Sequence, residues 1–261
     1  MLGNLMAYRG FVLGSVKREL QSRYSNSLLG ALWPLLNPLA MITVYALVFS
    51  QLMRTRLPGV DNHLAYGFYL CAGFLVWGLF SEVIGRSQTM FLDNANLIKK
   101  LSFPRICIPA VVVLSAVVNF AITFFVFMAF MLITGDFPGI RIIIIPLLLA
   151  AVLAFAIGLG MILGVLNVFF RDVGQLFGII MQFWFWLTPI VYPVSILPDA
   201  IRPLVELNPV TPLIVAFQQV LVFKMWPDWP TLVYPTVIGV ILCLLGLRLF
   251  RLRAGEMVDE L

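Results

Sequence analysis

Four long stretches without a charged side chain limit what this chain can fold into. They cover residues 24–53, 106–135, 142–170 and 173–198. Each is longer than the roughly 20 apolar residues that a helix needs to cross the core of a bilayer. Only 11% of the residues are charged, against about 25% in an ordinary soluble domain. Lipid offers no partner for backbone amides and the stretches do not alternate in polarity, so we expect membrane helices and not barrel strands.

Hydropathy and charge divide the chain into two parts. Residues 1–34 form an amphipathic interface segment, in which apolar side chains recur at spacings of three and four: Leu5, Tyr8, Val12, Val16 and Leu20. A helix of this kind lies on a membrane surface. Residues 35–261 form the transmembrane domain, for which we predict an all-α fold with six spans at 35–53, 66–83, 108–133, 142–169, 174–192 and 231–250.

The distribution of lysine and arginine predicts the orientation. With the N-terminus inside, twelve of these residues lie on the inner side and five on the outer side, as the positive-inside rule requires. Both termini are therefore predicted to be cytoplasmic. A seventh span around Asn208 would place the C-terminal arginines outside. We therefore expect residues 196–226 to form a re-entrant helical hairpin at the outer face, which is a candidate gate.

Sequence motifs for catalysis are missing. The sequence has no GxxxxGK[ST] phosphate loop and no HExxH zinc motif, and its single histidine, His63, lies in a predicted loop. Ion-driven carriers keep carboxylates inside the membrane, whereas here only Glu82 and Asp172 come near, at the ends of spans. We therefore predict no catalytic residue, metal or cofactor in this chain and a driving force supplied from elsewhere.

The predicted inner loop between spans two and three is the best candidate to receive that force. Asp93 or Asn94 is placed to cap a short helix over about residues 94–103, and Pro104 ends it. Basic side chains in its last turn oppose the helix dipole. This helix would present Leu97, Ile98 and Leu101 at the cytoplasmic face. It is either a connector resting on lipid headgroups or a coupling helix that docks on a motor subunit.

Two further segments carry unusual side chains. Residues 181–192 place five aromatic residues near the outer end of one span, together with Pro189. These aromatics form either a belt at the membrane interface or a lining along which sugar rings slide. Arg171 and Asp172, at the inner end of span four, form either a charged boundary anchor or part of a cytoplasmic entrance.

Five signatures, in this order, make the chain resemble a known family. They are residues 18–34 (RELQSRYSNSLLGALWP), 96–105 (NLIKKLSFPR) and 167–175 (NVFFRDVGQ), then Thr188-Pro-Ile and Asn208-Pro. The sequence resembles the permease subunits of bacterial ABC transporters that export lipid-linked polysaccharides, such as O antigen, capsule and teichoic-acid precursors. The resemblance extends from about residue 17 to residue 220.

This resemblance implies a transport subunit and not an enzyme. Permeases of this family form homodimers, each paired with two copies of a separately encoded ATPase subunit that binds ATP and Mg. The translocation path for the lipid-linked glycan follows the dimer interface across the bacterial cytoplasmic membrane. No nucleic acid is expected as a partner.

The resemblance also assigns roles to residues of this sequence. It places Arg18, Glu19, Arg23 and Tyr24 at the end of the interface helix. It makes a contact with the ATPase subunit from Asn96, Leu97, Ile98, Lys99, Lys100, Leu101 and Arg105. Candidates for the channel wall are Tyr45, Phe49, Phe183, Trp184, Trp186 and Tyr192.

Three arginines are candidates for contact with a lipid diphosphate head: Arg18, Arg23 and Arg171. Arginine can bind phosphate oxygens through two N–H groups at once, but the same residues also satisfy the positive-inside rule. Two rival functions stay open. A stand-alone channel or secondary carrier would act without an ATPase, and an enzyme acting on lipid-linked sugars would need clustered acids or histidines at one face.

Overall fold

The computed structural model of the chain describes residues 8–24, 33–45, 64–99 and 104–260. Within these ranges it is helical and contains no β-strand, which confirms the all-α class. The helices are α1 (Arg9–Tyr24), α2 (Trp33–Thr43), α3 (Ala65–Asp93), α4 (Ala95–Ile98), α5 (Cys107–Ile133), α6 (Ile145–Phe169), α7 (Asp172–Trp186), α8 (Arg202–Leu207), α9 (Val210–Leu221), α10 (Trp229–Arg253) and α11 (Glu256–Glu260). Short 3-10 helices, Gly139–Ile144 and Val194–Ile196, precede α6 and α8.

Four helical segments of the described part are long and apolar enough to cross a membrane: α3, α5, α10 and Gly139–Phe169, which includes α6. They correspond to predicted spans two, three, six and four. Helix α3 continues beyond the predicted end of span two, as far as Asp93, and the membrane boundary itself stays a prediction. Glu82 and Arg86 do not end the helix, since they lie one turn apart and pair with each other at 3.4 Å.

The other two predicted spans are represented by shorter helices. α2 covers Trp33–Thr43, and residues 46–53 lie outside the described ranges. α7 has 15 residues and ends at Trp186, before the predicted end of span five at residue 192. Pro189 explains this end, because proline lacks an N–H and disfavours helical backbone at the residue before it. The count of six spans stays a prediction.

Close backbone contacts fix α6 between α3 and α10. A Cβ atom on Gly158 would lie 2.5 Å from the backbone nitrogen of Cys243 in α10. A Cβ on Gly160 would lie 2.6 Å from Cβ of Ser87 in α3. Opposite Gly158, a Cβ on Gly246 would lie 2.8 Å from the Gly158 carbonyl oxygen. Small residues let membrane helices approach in this way, and dispersion contacts then hold them together.

Helix α3 is the inner member of the bundle. It packs against α5, α6 and α9, and Phe80, Val83 and Ile84 are fully buried. Gly73 of this helix lets a neighbouring segment come close, since a Cβ there would lie 3.1 Å from the side chain of Ile190. A helix surrounded by other helices does not need an apolar surface toward lipid, and small side chains let its neighbours come close.

Two apolar residues of the predicted buried face of α1 are covered by the bundle, while the position of α1 on the membrane surface stays a prediction. Val12 and Val16 are 6% and 5% exposed, and the helix packs against α5. Tyr8 is 40% exposed, so the buried face begins one turn later than predicted. Leu20 is half-buried, while Leu5 lies outside the described residues.

A glycine substitution tests the close packing of α6. We expect Gly158→Ala to lower the free energy of unfolding by about 1–3 kcal/mol or more, because its Cβ would overlap backbone atoms that cannot move aside. The matched control is Gly85→Ala in α3, where no atom lies within 4 Å of the added Cβ. Thermal unfolding of the purified protein in detergent measures both. Equal unfolding temperatures for the two variants would contradict this account of the packing.

Candidate functional site

A cluster of hydrogen bonds holds the chain where α7 ends. The Trp184 indole Nε1 donates to Asn208 Oδ1 at 2.8 Å, and Asn208 Nδ2 donates to Thr188 Oγ1 at 2.9 Å. The Thr188 hydroxyl in turn donates to the Trp184 carbonyl at 2.7 Å. Asn208 Oδ1 also accepts from the Val210 amide at 3.0 Å, at the start of α9. We call Trp184, Thr188 and Asn208 the Asn208 cluster. It explains two signatures together, because Thr188-Pro and Asn208-Pro are partners in space.

The irregular backbone after Thr188 is covered by protein. The Tyr66 hydroxyl donates to the Val191 carbonyl at 2.8 Å. The Tyr69 hydroxyl lies 3.2 Å from the Pro189 carbonyl and 3.1 Å from that of Tyr192, and Gln218 Nε2 lies 3.3 Å from the Pro189 carbonyl. Backbone groups that leave a helix at membrane depth need such partners.

Residues 196–226 contain two short helices, α8 and α9, joined at Asn208-Pro209. α9 is part of the core, since Leu213, Ile214 and Phe217 are fully buried and the helix packs against α3. Two short helices occupy the region of the predicted hairpin, and the hairpin itself stays a prediction. Its depth in the membrane and its role as a gate stay predictions.

Aromatic rings form a continuous row from α2 to the end of α7. Tyr45 stacks on Phe74 with 4.6 Å between ring centroids. Phe74 and Trp77 each lie 5.6 Å from Phe185, which lies 5.2 Å from Trp186. Beside this row is an open groove of about 400 Å³, lined by Trp77, Ser81, Met181, Gln182, Phe185 and Trp186. We call it the aromatic groove.

The predicted channel-wall aromatics do not all lie at the aromatic groove. Trp186 is 64% exposed and lines the aromatic groove, whereas Tyr45 belongs to the aromatic row through its contact with Phe74 and does not line the groove. Trp184 does not line it, because its indole packs against Phe80 at 5.5 Å and belongs to the Asn208 cluster.

The remaining aromatic candidates are also outside the groove lining. Phe183 is 67% exposed but is not among the lining residues. The Tyr192 hydroxyl donates to the Trp186 carbonyl at 2.7 Å. Phe49 lies outside the described residues.

Sequence reasoning missed three members of the aromatic row: Phe74, Trp77 and Phe185. The sequence of α3 contains a pattern that could have identified two of them. Phe74, Trp77 and Ser81 recur at spacings of three and four, which places them on one helical face. Phe185 belongs to the aromatic quartet at residues 183–186, but its inward orientation depends on packing against α3.

A network of charged and polar groups, also missed, connects α1, α3 and α5. Arg86 Nη2 of α3 lies 2.7 Å from the Glu19 carboxylate of α1, and Arg86 Nη1 lies 3.4 Å from Glu82 Oε1. From α5, Ser115 Oγ donates to Glu19 at 2.8 Å and Asn119 Nδ2 donates to Glu82 at 2.7 Å. We call these five residues the charged bridge. Charges in a membrane bundle are stable when paired in this way, and removing one partner is costly.

The predicted coupling helix is only partly covered by the described residues. α4 covers only Ala95–Ile98, against a prediction of 94–103. Asn94 does not cap it with its side chain, because Nδ2 donates back to the Met90 carbonyl at 2.8 Å. Residues 100–103, and with them Lys100 and Leu101, lie outside the described part.

Some of the predicted ATPase-contact residues lie at the surface and others lie in the interior. Asn96 and Lys99 are exposed, and Leu97 is half-buried. The expectation that Ile98 lies at the surface is wrong. It is 1% exposed, because it anchors α4 in a small core with Phe91, Phe250 and Met257.

Arg105 is engaged within the chain as well. Its guanidinium donates to the Ala254 carbonyl at the end of α10. This hydrogen bond joins the end of the predicted coupling segment to the end of α10. The Arg105 side chain therefore contacts its own chain in the described structure.

The signature around Asn167 also has a structural basis. Asn167 Nδ2 donates to the Gln88 carbonyl of α3 at 2.9 Å, and its Oδ1 accepts from the Gly174 amide of α7 at 3.0 Å. The residue therefore joins α3, α6 and α7. Arg171 and Asp172 are exposed at the start of α7.

The three candidate phosphate-binding arginines have different surroundings. Arg18 donates to Ser15 Oγ at 2.9 Å and lines a cavity of about 470 Å³. Arg171 is not among the residues that line this cavity. The side chains of Arg23 and Tyr24 lie outside the described part, and Glu19 belongs to the charged bridge.

Removing the amide of Asn208 tests the Asn208 cluster. Asn208→Leu keeps similar bulk but leaves the Trp184 indole and the Thr188 hydroxyl without their partner. An unpaired buried polar group costs about 1–3 kcal/mol, so we expect a clear fall in unfolding temperature. The control is Glu206→Gln on exposed α8, which should unfold like wild type. If the two variants unfold at the same temperature, the cluster does not hold this segment.

Comparison with known proteins gives a consistent result. The family model described as "ABC-2 type transporter" matches residues 12–222. The chain is 29% identical to the O-antigen export system permease protein RfbA of Myxococcus xanthus, over 100% of this chain and 99% of that protein. It is 29% identical to the protein of the same name from Klebsiella pneumoniae, over 89% of this chain and 88% of that protein. It is 21% identical to the polysialic acid transport protein KpsM of Escherichia coli, over 98% and 100% respectively.

The matched region includes the Asn208 cluster, the aromatic groove, the charged bridge and α4. It thus covers most of the chain, while α10 and α11 lie beyond it. This chain belongs to the ABC-2 type transporter family.

Proposed function

We propose that this chain is the membrane permease subunit of an ATP-driven ABC exporter that moves a lipid-linked polysaccharide, O-antigen-like or capsule-like, across the bacterial cytoplasmic membrane. The observation that carries the proposal is the match, over the whole chain, to a permease named for O-antigen export. Relatives from a second and a third organism, also named for transport of a polysaccharide, support the same substrate class.

The aromatic groove supplies a surface suited to such a cargo. Trp77, Phe185 and Trp186 offer ring faces, and Ser81 and Gln182 offer hydrogen-bonding groups beside them. Flat rings contact the apolar faces of sugars without enclosing any one unit. A polymer can therefore advance over them without meeting a deep binding pocket.

The exposed face of α7 supports a homodimer with the path between protomers. Leu176, Ile179, Phe183 and Trp186 are 62%, 54%, 67% and 64% exposed, and Trp186 belongs to the groove. A second copy packed on this face would cover it and close the open side of the groove. Among the described residues, the groove is lined by α3 and α7 and is open to the outside.

The motor contact is proposed at α4. Asn96 and Lys99 are its exposed side chains, and buried Ile98 fastens the helix to the bundle. We propose that each protomer docks one ATPase subunit here, and that ATP and Mg bind on that subunit. This orientation places α4 and both termini in the cytoplasm.

Helix α3 connects the two sites mechanically. It carries Phe74, Trp77 and Ser81 at the groove and ends at Asp93, directly before α4. A continuous helix of 29 residues is stiff, and its end is fixed to α6 by close packing. A push on α4 is therefore transmitted to the groove and not absorbed by a flexible loop.

Charge reversal at α4 tests the proposed motor contact. We expect Asn96→Asp with Lys99→Glu to prevent co-purification of the cognate ATPase subunit, or to abolish stimulation of ATP hydrolysis by lipid-linked glycan. The unfolding temperature of the permease alone should not change, because both side chains are exposed. The matched control is Asn96→Gln with Lys99→Arg, which keeps the charge and should behave like wild type.

Two outcomes would contradict the proposed motor contact or the proposed function. If the charge-reversed variant assembles and hydrolyses ATP like wild type, α4 is not the motor contact. If no ATPase co-purifies with the wild-type chain and the chain alone moves solute, the protein acts as a channel or carrier.

A further inference from the structure

A cavity of about 470 Å³ lies at the predicted cytoplasmic end of the bundle, between α1, α3, α4 and α5. Its wall has a polar side and an apolar side. The charged residues on the polar side are Arg18 and Glu19 of α1 and Arg86 and Asp93 of α3. The function proposed above assigns no role to this cavity.

The charges of this cavity are only partly neutralised within the protein. Glu19 and Arg86 neutralise each other in the charged bridge at 2.7 Å. Arg18 donates to the uncharged Ser15 hydroxyl, and Asp93 is exposed. Among the described residues no ion pair includes Arg18 or Asp93. The cavity therefore presents one positive and one negative group that do not pair with each other.

The other side of the cavity wall is apolar. Phe11 of α1, Leu97 of α4, and Ile108 and Val112 of α5 belong to it. α1 is amphipathic and packs on the bundle through Val12 and Val16. A helix of this kind lies at the depth of the lipid headgroups, and the cavity beneath it lies at the same depth.

We propose that this cavity binds the headgroup of a zwitterionic phospholipid, with phosphoethanolamine as the ligand chemistry. The lipid phosphate contacts Arg18, whose guanidinium can bind two phosphate oxygens. The lipid ammonium contacts Asp93, and the first carbons of the acyl chains lie along the apolar side. An anionic lipid without an amine fits less well, because it leaves Asp93 unpaired beside added negative charge.

The site would connect lipid composition to the proposed motor contact. Leu97 belongs to α4, and Asp93 is the last residue of α3. A lipid bound between α1 and these residues stabilises the position of α4 relative to the bundle. The inference concerns lipid binding only, so it does not require the proposed export activity.

The test is native mass spectrometry of the purified full-length protein, titrated after delipidation with phosphatidylethanolamine or phosphatidylglycerol of the same chain length. We expect wild type to retain the ethanolamine lipid about tenfold more tightly, as for one additional charge-assisted hydrogen bond. Arg18→Gln should weaken binding of both lipids. Asp93→Asn should remove the preference or reverse it toward phosphatidylglycerol.

Matched controls separate the cavity from general surface charge. Arg9→Gln changes an exposed arginine on the same helix, and Asp259→Asn changes an exposed aspartate on α11. Both should retain the wild-type preference. Thermal unfolding without added lipid checks that each variant is folded. If Arg18→Gln does not fold, the change of preference in Asp93→Asn carries the test alone.

Two results would overturn the proposal. One is equal retention of the two lipids by wild type, which indicates annular lipid only. The other is a preference for phosphatidylethanolamine that persists in Asp93→Asn.

Discussion

Direct contact between helix backbones in the centre of the bundle holds the rest of this structure in place. Gly158, Gly160 and Gly246 allow α6 to approach α10 and α3 at distances that exclude even a methyl group. In a membrane, where lipid tails are as apolar as side chains, such packing contributes much of the attraction between helices. α3 is held in this way along its side facing α6. The Asn208 cluster, the charged bridge and α4 are all built on that fixed helix or beside it.

Polar groups then join the less regular parts to the bundle. Near Pro189, tyrosines of α3 and Gln218 of α9 supply hydrogen bonds to a backbone that has left its helix. At the other end of α3, Arg86 joins α1 to the bundle through Glu19. Each connection satisfies groups that would be costly to leave unpaired in a low-dielectric region. The same helix, α3, carries the groove residues Trp77 and Ser81 near its middle and ends directly before α4.

The features that could be predicted from the sequence depend on residues close together along the chain. Charge-free stretches located α5 and α6, and the spacing of Val12 and Val16 located the buried face of α1. Side-chain partners across helices could not be read in this way. Glu82 looked like the end of a span, because its hydrogen bond with Asn119 exists only when α3 and α5 meet. Ile98 was expected at the surface, because four residues of helix do not show which side will find a core. Trp184 and Trp186 are alike in sequence, and only packing places one in the Asn208 cluster and the other in the groove.

The central claim is that this chain moves a lipid-linked glycan when a separate subunit hydrolyses ATP. The most direct measurement uses vesicles that carry the permease and its ATPase with the nucleotide site outward and the glycan lipid in the outer leaflet. The account predicts that added ATP makes the glycan inaccessible to an external glycosidase. Trp186→Ala should slow this protection, while Trp229→Ala, which alters an exposed tryptophan outside the groove, should not. Protection without ATP or without the ATPase subunit, or equal rates for the two variants, would contradict the account.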